Sequence, residues 1–275
     1  MRDIVVRPLG TDYAALAAWI GEDPEELRRA IEDRHEAPRD HWVAWAGDSV
    51  VGALHPWRGP DGRLRLFFDR CRADAYAPLV AQVEGPCLAT VAGDDAEAGT
   101  ALTGLGFVAG RVELDYDLPV AAHDVAVPAG YSLVSAADVP IEDVMALDCR
   151  LRDDVPGTDG WAADLQWFVE ENHGSSYFDP DTYLIARSGG AEVGLVRVWN
   201  GPRPLPRLGL VGVLPEHRGR GLATAMLARV LSVWAARGGT VVTAEVDQDN
   251  APSRALMKRY GGRVTGSSIE YVRLA

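Results

Sequence analysis

The chain has 275 residues with a formal net charge of −13; 47% of the residues are hydrophobic and 24% charged. This is the composition of a globular protein with room for one large domain or two modest ones, and it excludes a disordered or fibrous chain. No apolar window of about 18 residues is present, Met1-Arg2-Asp3-Ile4 does not read as a leader, and Cys71, Cys87 and Cys149 are too scattered for a disulfide framework or a zinc site, so a cytoplasmic protein without metal or membrane partner is expected.

In chain order, Ile4 to Pro8 reads as a strand followed by a helical stretch. Next comes the pattern Val43-Ala44, Val51-Gly52, Trp57, Gly59-Pro60. It recurs as Ile185-Ala186, Val193-Gly194, Trp199, Gly201-Pro202, every pair 142 positions apart. A gapless repeat of this kind is the mark of a duplicated unit. The first copy continues through Phe68-Asp69-Arg70-Cys71-Arg72-Ala73-Asp74, which contains no glycine, to Leu105-Gly106-Phe107 and a last strand, Val112 to Leu118. Pro119 to Gly130 has the Pro- and Gly-containing makeup of a linker. The division expected is a first domain over 1–120, a linker over 121–129 and a second domain over 130–275, both α+β.

The second copy opens with a strand from Tyr131 to Val134 and a helical region, Ile141 to Asp181, rich in aromatics and carboxylates. Tyr183 to Arg187 and Val193 to Trp199 form a hairpin about Ser188-Gly189-Gly190. A third strand runs from Leu208 to Val213. Leu222, Met226, Val230 and Trp234 then recur every four residues, the buried stripe of a helix closed by Gly238-Gly239. Thr240 to Val246 is a buried strand, Pro252 to Tyr260 a short helix, and Ile269 to Leu274 the last strand.

The loop Leu214-Pro215-Glu216-His217-Arg218-Gly219-Arg220-Gly221 carries the chemistry. It joins a strand to a helix whose first N–H groups have no intrahelical acceptor, and its glycines let the backbone wrap an anion at the positive end of the helix dipole. Arg218 and Arg220 add charge. A Walker A loop is excluded because no lysine is present at this position. A dinucleotide fingerprint is a near miss: Gly219 and Gly221 stand in place, but Thr224 occupies the third glycine position and Leu214 to Arg218 separate the strand from the glycines. The acidity does not oppose this reading. Residues 1–125 hold 12 basic and 22 acidic side chains, whereas residues 126–275 hold 15 and 18. Neither half is basic enough to suggest nucleic acid.

Arg218-Gly219-Arg220-Gly221-Leu222-Ala223, after Val211-Gly212-Val213 and a Pro-Glu turn, resembles the Arg/Gln-x-x-Gly-x-Gly/Ala signature of the GNAT superfamily of N-acetyltransferases. Asn250-Ala251-Pro252-Ser253 to Leu256 and Tyr260-Gly261-Gly262 resemble its second signature, with Tyr260 and Gly262 departing from the usual Leu-Gly-Phe ending. The resemblance implies two tandem GNAT-like domains, each a mixed, mostly antiparallel sheet flanked by helices, the first without a pyrophosphate loop. It implies acetyl-CoA as acyl donor and a small amine as acceptor, in a monomer or homodimer. Gly219, Arg220, Gly221, Leu222, Ala223 and Thr224 would hold the pyrophosphate with help from Arg218. Val211, Gly212 and Val213 would pair with the pantetheine arm and supply an amide to the thioester oxygen. Asn250 and Ser253 would contact the cofactor, Asn250 having a helix N-cap as its alternative role.

Acid and base are less clear in the sequence. The family's usual acid position is Met257, which has no proton to give, and Tyr260 is the substitute candidate. A position that some relatives use for the base is Arg207, so Glu245 and then Asp247 are the candidates. Two further readings stay open: a protein that binds CoA or acyl-CoA without turnover, as a sensor or sequestering protein, and hydride chemistry on the near-miss dinucleotide loop.

Overall fold

The computed structural model describes residues 3–32, 41–175, 177–201 and 205–274. Met1, Arg2 and Pro202, named above, lie outside the described residues. The elements are β1 (Ile4–Pro8), α1 (Tyr13–Ile20), α2 (Pro24–Glu32), β2 (Trp42–Ala46), β3 (Ser49–Arg58), β4 (Leu64–Asp69), α3 (Ala73–Val80), β5 (Cys87–Ala92), α4 (Ala96–Gly104) and β6 (Val108–Pro119). They continue with β7 (Ser132–Ser135), α5 (Ile141–Arg152), α6 (Leu165–Phe168), β8 (Tyr183–Ser188), β9 (Ala191–Trp199), β10 (Arg207–Val213), α7 (Leu222–Ala236), β11 (Val241–Asp247), α8 (Ala251–Arg259) and β12 (Arg263–Arg273). Among the described residues, no helix is long and apolar enough to cross a membrane.

The chain divides into two compact units, Met1–Val112 with Ser268–Ala275, and Glu113–Ser267. These differ from the halves at 1–120 and 130–275. The first unit completes its sheet with Ser268–Arg273 of β12 against β5, and the second completes its own with Glu113–Pro119 of β6 against β11. Each unit is α+β. Its sheet is antiparallel except for one short parallel contact, β4 with β5 in the first and β10 with β11 in the second.

The duplication holds at the level of hydrogen-bond register. In the first unit Ala44 pairs with Gly52, and a bulge follows between Ala44 and Trp45. In the second Ala186 pairs with Gly194, and a bulge follows between Ala186 and Arg187. A bulge re-aims the chain by one residue, so its recurrence at the same repeat position is inherited geometry. Trp57 pairs with Arg65, and Trp199 with Arg207, which adds an arginine to the 142-residue repeat. There the halves diverge. From Arg65 to its parallel partner Leu88 is 23 residues, whereas from Arg207 to Thr243 is 36. The longer connection holds the glycine loop and the 15-residue α7, where the first unit has the eight-residue α3.

The core of the second unit forms on both faces of its sheet. Leu222, Met226 and Val230 of α7 are completely or almost completely buried against Val242, Ala244 and Val246 of β11. Burying side chains of this size stabilises by about 1.5–3 kcal/mol each. On the other face, Leu147 and Leu151 of α5 pack with Leu195 and Leu210. An ion pair is sealed in on this side. Arg197, 4% exposed, donates to Asp148 Oδ2 (3.0 Å) and Asn172 Oδ1 (2.7 Å), and Arg152 donates to Asp148 Oδ1 (2.5 Å). Buried charges persist only when paired and bonded in this way. The pair fixes α5 to β9 and so sets the position of Leu151.

Candidate active site

β10 and β11 are hydrogen-bonded partners at only two positions, Arg207 with Thr243 and Leu208 with Ala244. Beyond them the strands part. A bulge between Leu208 and Leu210 marks the point on the β9 side. Leu214 N–H donates to Val193 O of β9, so by strand alternation the polar groups of Val213 and Val211 point to the opposite, parted edge. The strand edge beside the cleft therefore offers backbone donors and acceptors in an extended row.

The gap opens into a cleft of about 590 Å³. Val211, Gly212 and Val213 form one wall, and Asn250 with Ser253 and Leu256 of α8 another. Gly219, Gly221, Leu222, Ala223 and Thr224 close the end at the start of α7. Gly219 has φ of +73° and Gly221 +82°, a left-handed backbone that disfavours any side chain. A Cβ on either would meet nothing within 4 Å, so the backbone faces open space. The first intrahelical bond of α7 runs from Ala225 N–H to Gly221 O, which leaves the amides of Leu222, Ala223 and Thr224 ahead of it at the positive end of a 15-residue helix. Arg218 and Arg259 also line the cleft. The combination fits an elongated ligand with a strand-like polar arm and an anionic end.

Sequence reasoning did not place three of the lining groups in this cleft. Leu151 of α5 fills the space of Gly212's missing side chain, its methyls 3.2 Å from where a Cβ would stand. Asp154 and Val155 follow from the same segment. Arg259 comes from the last turn of α8. Their signal is spatial: helices distant in sequence converge on one strand.

Arg220, by contrast, is not among the residues that line the cleft. Its Nη2 donates to Glu216 O (3.2 Å), so this guanidinium braces the loop. Asn250 is the N-cap of α8, its Oδ1 accepting from Ser253 N–H (3.1 Å), and both residues line the cleft.

The acid and base candidates lie elsewhere. Tyr260 is 6% exposed, and its hydroxyl donates to Thr224 O (2.6 Å), tying α8 to the first turn of α7. Burial pushes its phenol above the ordinary value. The geometry gives this candidate a bracing position between α8 and α7. Met257 is 1% exposed and packed in the core. Asp247 accepts from Asp249 N–H (2.8 Å) and shapes the turn into α8. Glu245 occupies the face of β11 opposite Val242, Ala244 and Val246, because a strand alternates its side chains. Its Oε2 accepts from Arg207 Nη1 (2.8 Å), and it lines a second depression, of about 270 Å³, with Asp117 and Thr243.

In the aromatic- and carboxylate-rich region over 141–181, Trp161 lies edge-on to Trp167 at 5.7 Å, and the Arg152 guanidinium stands 4.4 Å over the Trp161 ring. The chain's own cation already uses this aromatic face. His173 stacks on Phe178 at 4.5 Å, a packing position.

In the first unit the corresponding connection from β4 to α3 has Arg70 at φ +41° and no glycine. The Arg70 carbonyl accepts from Trp19 Nε1 of α1 (3.0 Å), so the turn is fastened to a helix of its own unit.

Residues 145–262 match the family model described as the acetyltransferase (GNAT) family. A mycothiol acetyltransferase of Clavibacter michiganensis is 31% identical over 147 residues, 53% of this chain and 47% of that protein. One of Streptomyces bingchenggensis is 36% identical over 106 residues, 38% of this chain and 34% of that protein. The chain thus spans about half the length, or less, of the curated relatives it matches. Among solved structures, a GCN5-related N-acetyltransferase from Sphaerobacter thermophilus superposes with a TM-score of 0.73 at 16% identity, covering 98% of this chain and 95% of the other. A tandem GNAT protein from the clavulanic acid biosynthesis pathway gives 0.68 at 19% identity, covering 98% of each.

Proposed function

On the premise that residues 145–262 form a GNAT acetyltransferase domain in a chain of tandem GNAT fold, we propose that the protein transfers the acetyl group of acetyl-CoA to the amino group of a small molecule. One observation carries the reading: parted strands with an exposed polar edge lead to a glycine cradle at the start of a long helix. When bound, acetyl-CoA supplies an acetyl group activated as a thioester. The amides of Leu222, Ala223 and Thr224 hold its diphosphate, with Arg218 and Arg259 as nearby cations. The parted edge at Val211 and Val213 receives the pantetheine arm as an added strand, and an amide of this edge polarises the acyl carbonyl. Leu151 and Val155 exclude water from the apolar wall.

Proton removal from the acceptor falls to Glu245, the carboxylate of β11 nearest the parting with Ala244. A thiol of pKa about 8.5 is a fair leaving group, so the burial of Met257 and Tyr260 does not bar the reaction. The relatives named as mycothiol acetyltransferases agree with a small-molecule acceptor. Thiol release from acetyl-CoA in the presence of a panel of small amines tests the proposal. Release that depends on one of the amines and disappears in Gly221→Glu supports it.

The commitment of Tyr260 to Thr224, the burial of Met257 and the pairing of Glu245 with Arg207 favour one second reading, a CoA-binding protein without turnover. It predicts CoA binding with no amine-dependent thiol release. Hydride chemistry predicts thermal protection by NAD in place of CoA.

A further inference from the structure

The cleft's principal cation is held by a carboxylate of the same cleft. Arg218 Nε donates to Val213 O (2.8 Å) on the strand edge, and its Nη2 donates to Asp154 Oδ2 (2.6 Å). Asp154 belongs to the segment between α5 and α6, 64 residues earlier, and lines the cleft beside Val155. A negative charge at this place opposes any phosphate that approaches Arg218. The pair is also easily broken: the side chains are 47% and 50% exposed, and an ion pair so hydrated is worth at most about 1 kcal/mol. The root of the segment is fixed by contrast, because Leu151 is seated on Gly212 and Asp148 is clamped by Arg197 and Arg152. Beyond α5 the backbone is held by Val155 N–H (3.0 Å) and Thr158 Oγ1 (2.8 Å), both donating to Arg152 O, so it is the half-exposed Asp154 side chain that is left to adjust.

We propose that Asp154 is a positioning residue that acts through Arg218 as an internal competitor for the cofactor's diphosphate, weakening CoA binding and hastening its release. The inference rests on the CoA-binding reading above. In the free protein Asp154 keeps Arg218 folded along the strand edge. When the diphosphate engages Arg218, Asp154 is displaced into solvent, and as CoA departs it regains its partner. Like-charge repulsion between Asp154 and the diphosphate acts in the same direction.

The test uses the full chain, calorimetry and stopped-flow dissociation, with CoA and with pantetheine, which has the arm but no diphosphate. Asp154→Asn tightens CoA binding about two- to fivefold, the span of an exposed ion pair, through slower dissociation, and leaves pantetheine affinity unchanged. Asp154→Ser does the same, and in an Arg218→Gln background the gain from either substitution shrinks to the part due to direct repulsion. A merely structural Asp154 moves both ligands together. Unchanged or weaker CoA binding in Asp154→Asn, or an equal gain for pantetheine, overturns the proposal while the CoA-binding reading stands. Failure of the unaltered chain to bind CoA overturns both.

Discussion

Gly221 is the residue on which the cofactor cradle depends most narrowly. It caps α7 at φ +82° and ψ 5°, and a Cβ there would enter open space with no protein atom within 4 Å. Two costs of substitution are therefore separable. The first is backbone strain, about 1–2 kcal/mol for an L-residue in the left-handed region, common to Gly221→Ala and Gly221→Glu. In a unit of this size it lowers Tm by roughly 2–8 °C in both variants. The second is electrostatic and belongs to Glu alone. A carboxylate about 5 Å from a phosphate charge costs from just under about 1 kcal/mol in water to about 3 kcal/mol at an effective dielectric of 20. With two phosphates in the cradle, a combined penalty of about 2 kcal/mol is a low figure. It corresponds to roughly thirtyfold weaker CoA binding. Calorimetric titration with CoA and thermal melts of both variants measure the two costs independently. Equal CoA affinity in Gly221→Ala and Gly221→Glu, with matching melts, would refute a diphosphate site at this helix start.

Glu245→Gln lowers the rate of amine-dependent thiol release while CoA affinity is retained; unchanged turnover across pH removes Glu245 from the chemistry. Tyr260→Phe lowers stability by about 1 kcal/mol, read in denaturant melts, because the Thr224 carbonyl loses its buried donor, and the pH profile of transfer keeps its shape. Burial pushes the Asp179 carboxyl up, but the bonds it accepts from Arg237, Asp181 N–H and Thr182 outweigh this and hold it below the ordinary value. A depressed carboxylate stabilises the fold fully above its unfolded pKa near 3.8 and loses that contribution as pH falls through the folded value. Asp179→Asn is accordingly less stable than the unaltered chain at neutral pH, and the difference narrows as pH falls below the ordinary carboxylate value of 3.8, as urea unfolding at neutral and acid pH measures.

The residues most legible in the sequence were those with a backbone reason for their identity. Gly219 and Gly221 must be glycine at positive φ, and the helix of Leu222, Met226 and Val230 announces itself by spacing. The repeat was readable because β2–β3 and β8–β9 keep one register and one bulge. The unit boundaries at Val112 and Ser268 were not, since alternation names a strand without naming its neighbour. Glu245 was placed on the right strand, but its pairing with Arg207 depends on which face it takes next to β10. Tyr260 was read one helical turn from the acid position, yet its hydroxyl reaches back to α7. That Leu151 and Asp154 line the cofactor cleft was not readable, because their place is set by the seating of α5 against Gly212.

Calorimetric titration of the full chain with CoA tests the central claim most directly. One functional cleft, in the second unit, predicts one CoA bound per chain and roughly thirtyfold or greater weakening of that binding in Gly221→Glu. No binding at all, or two equivalents per chain, contradicts it.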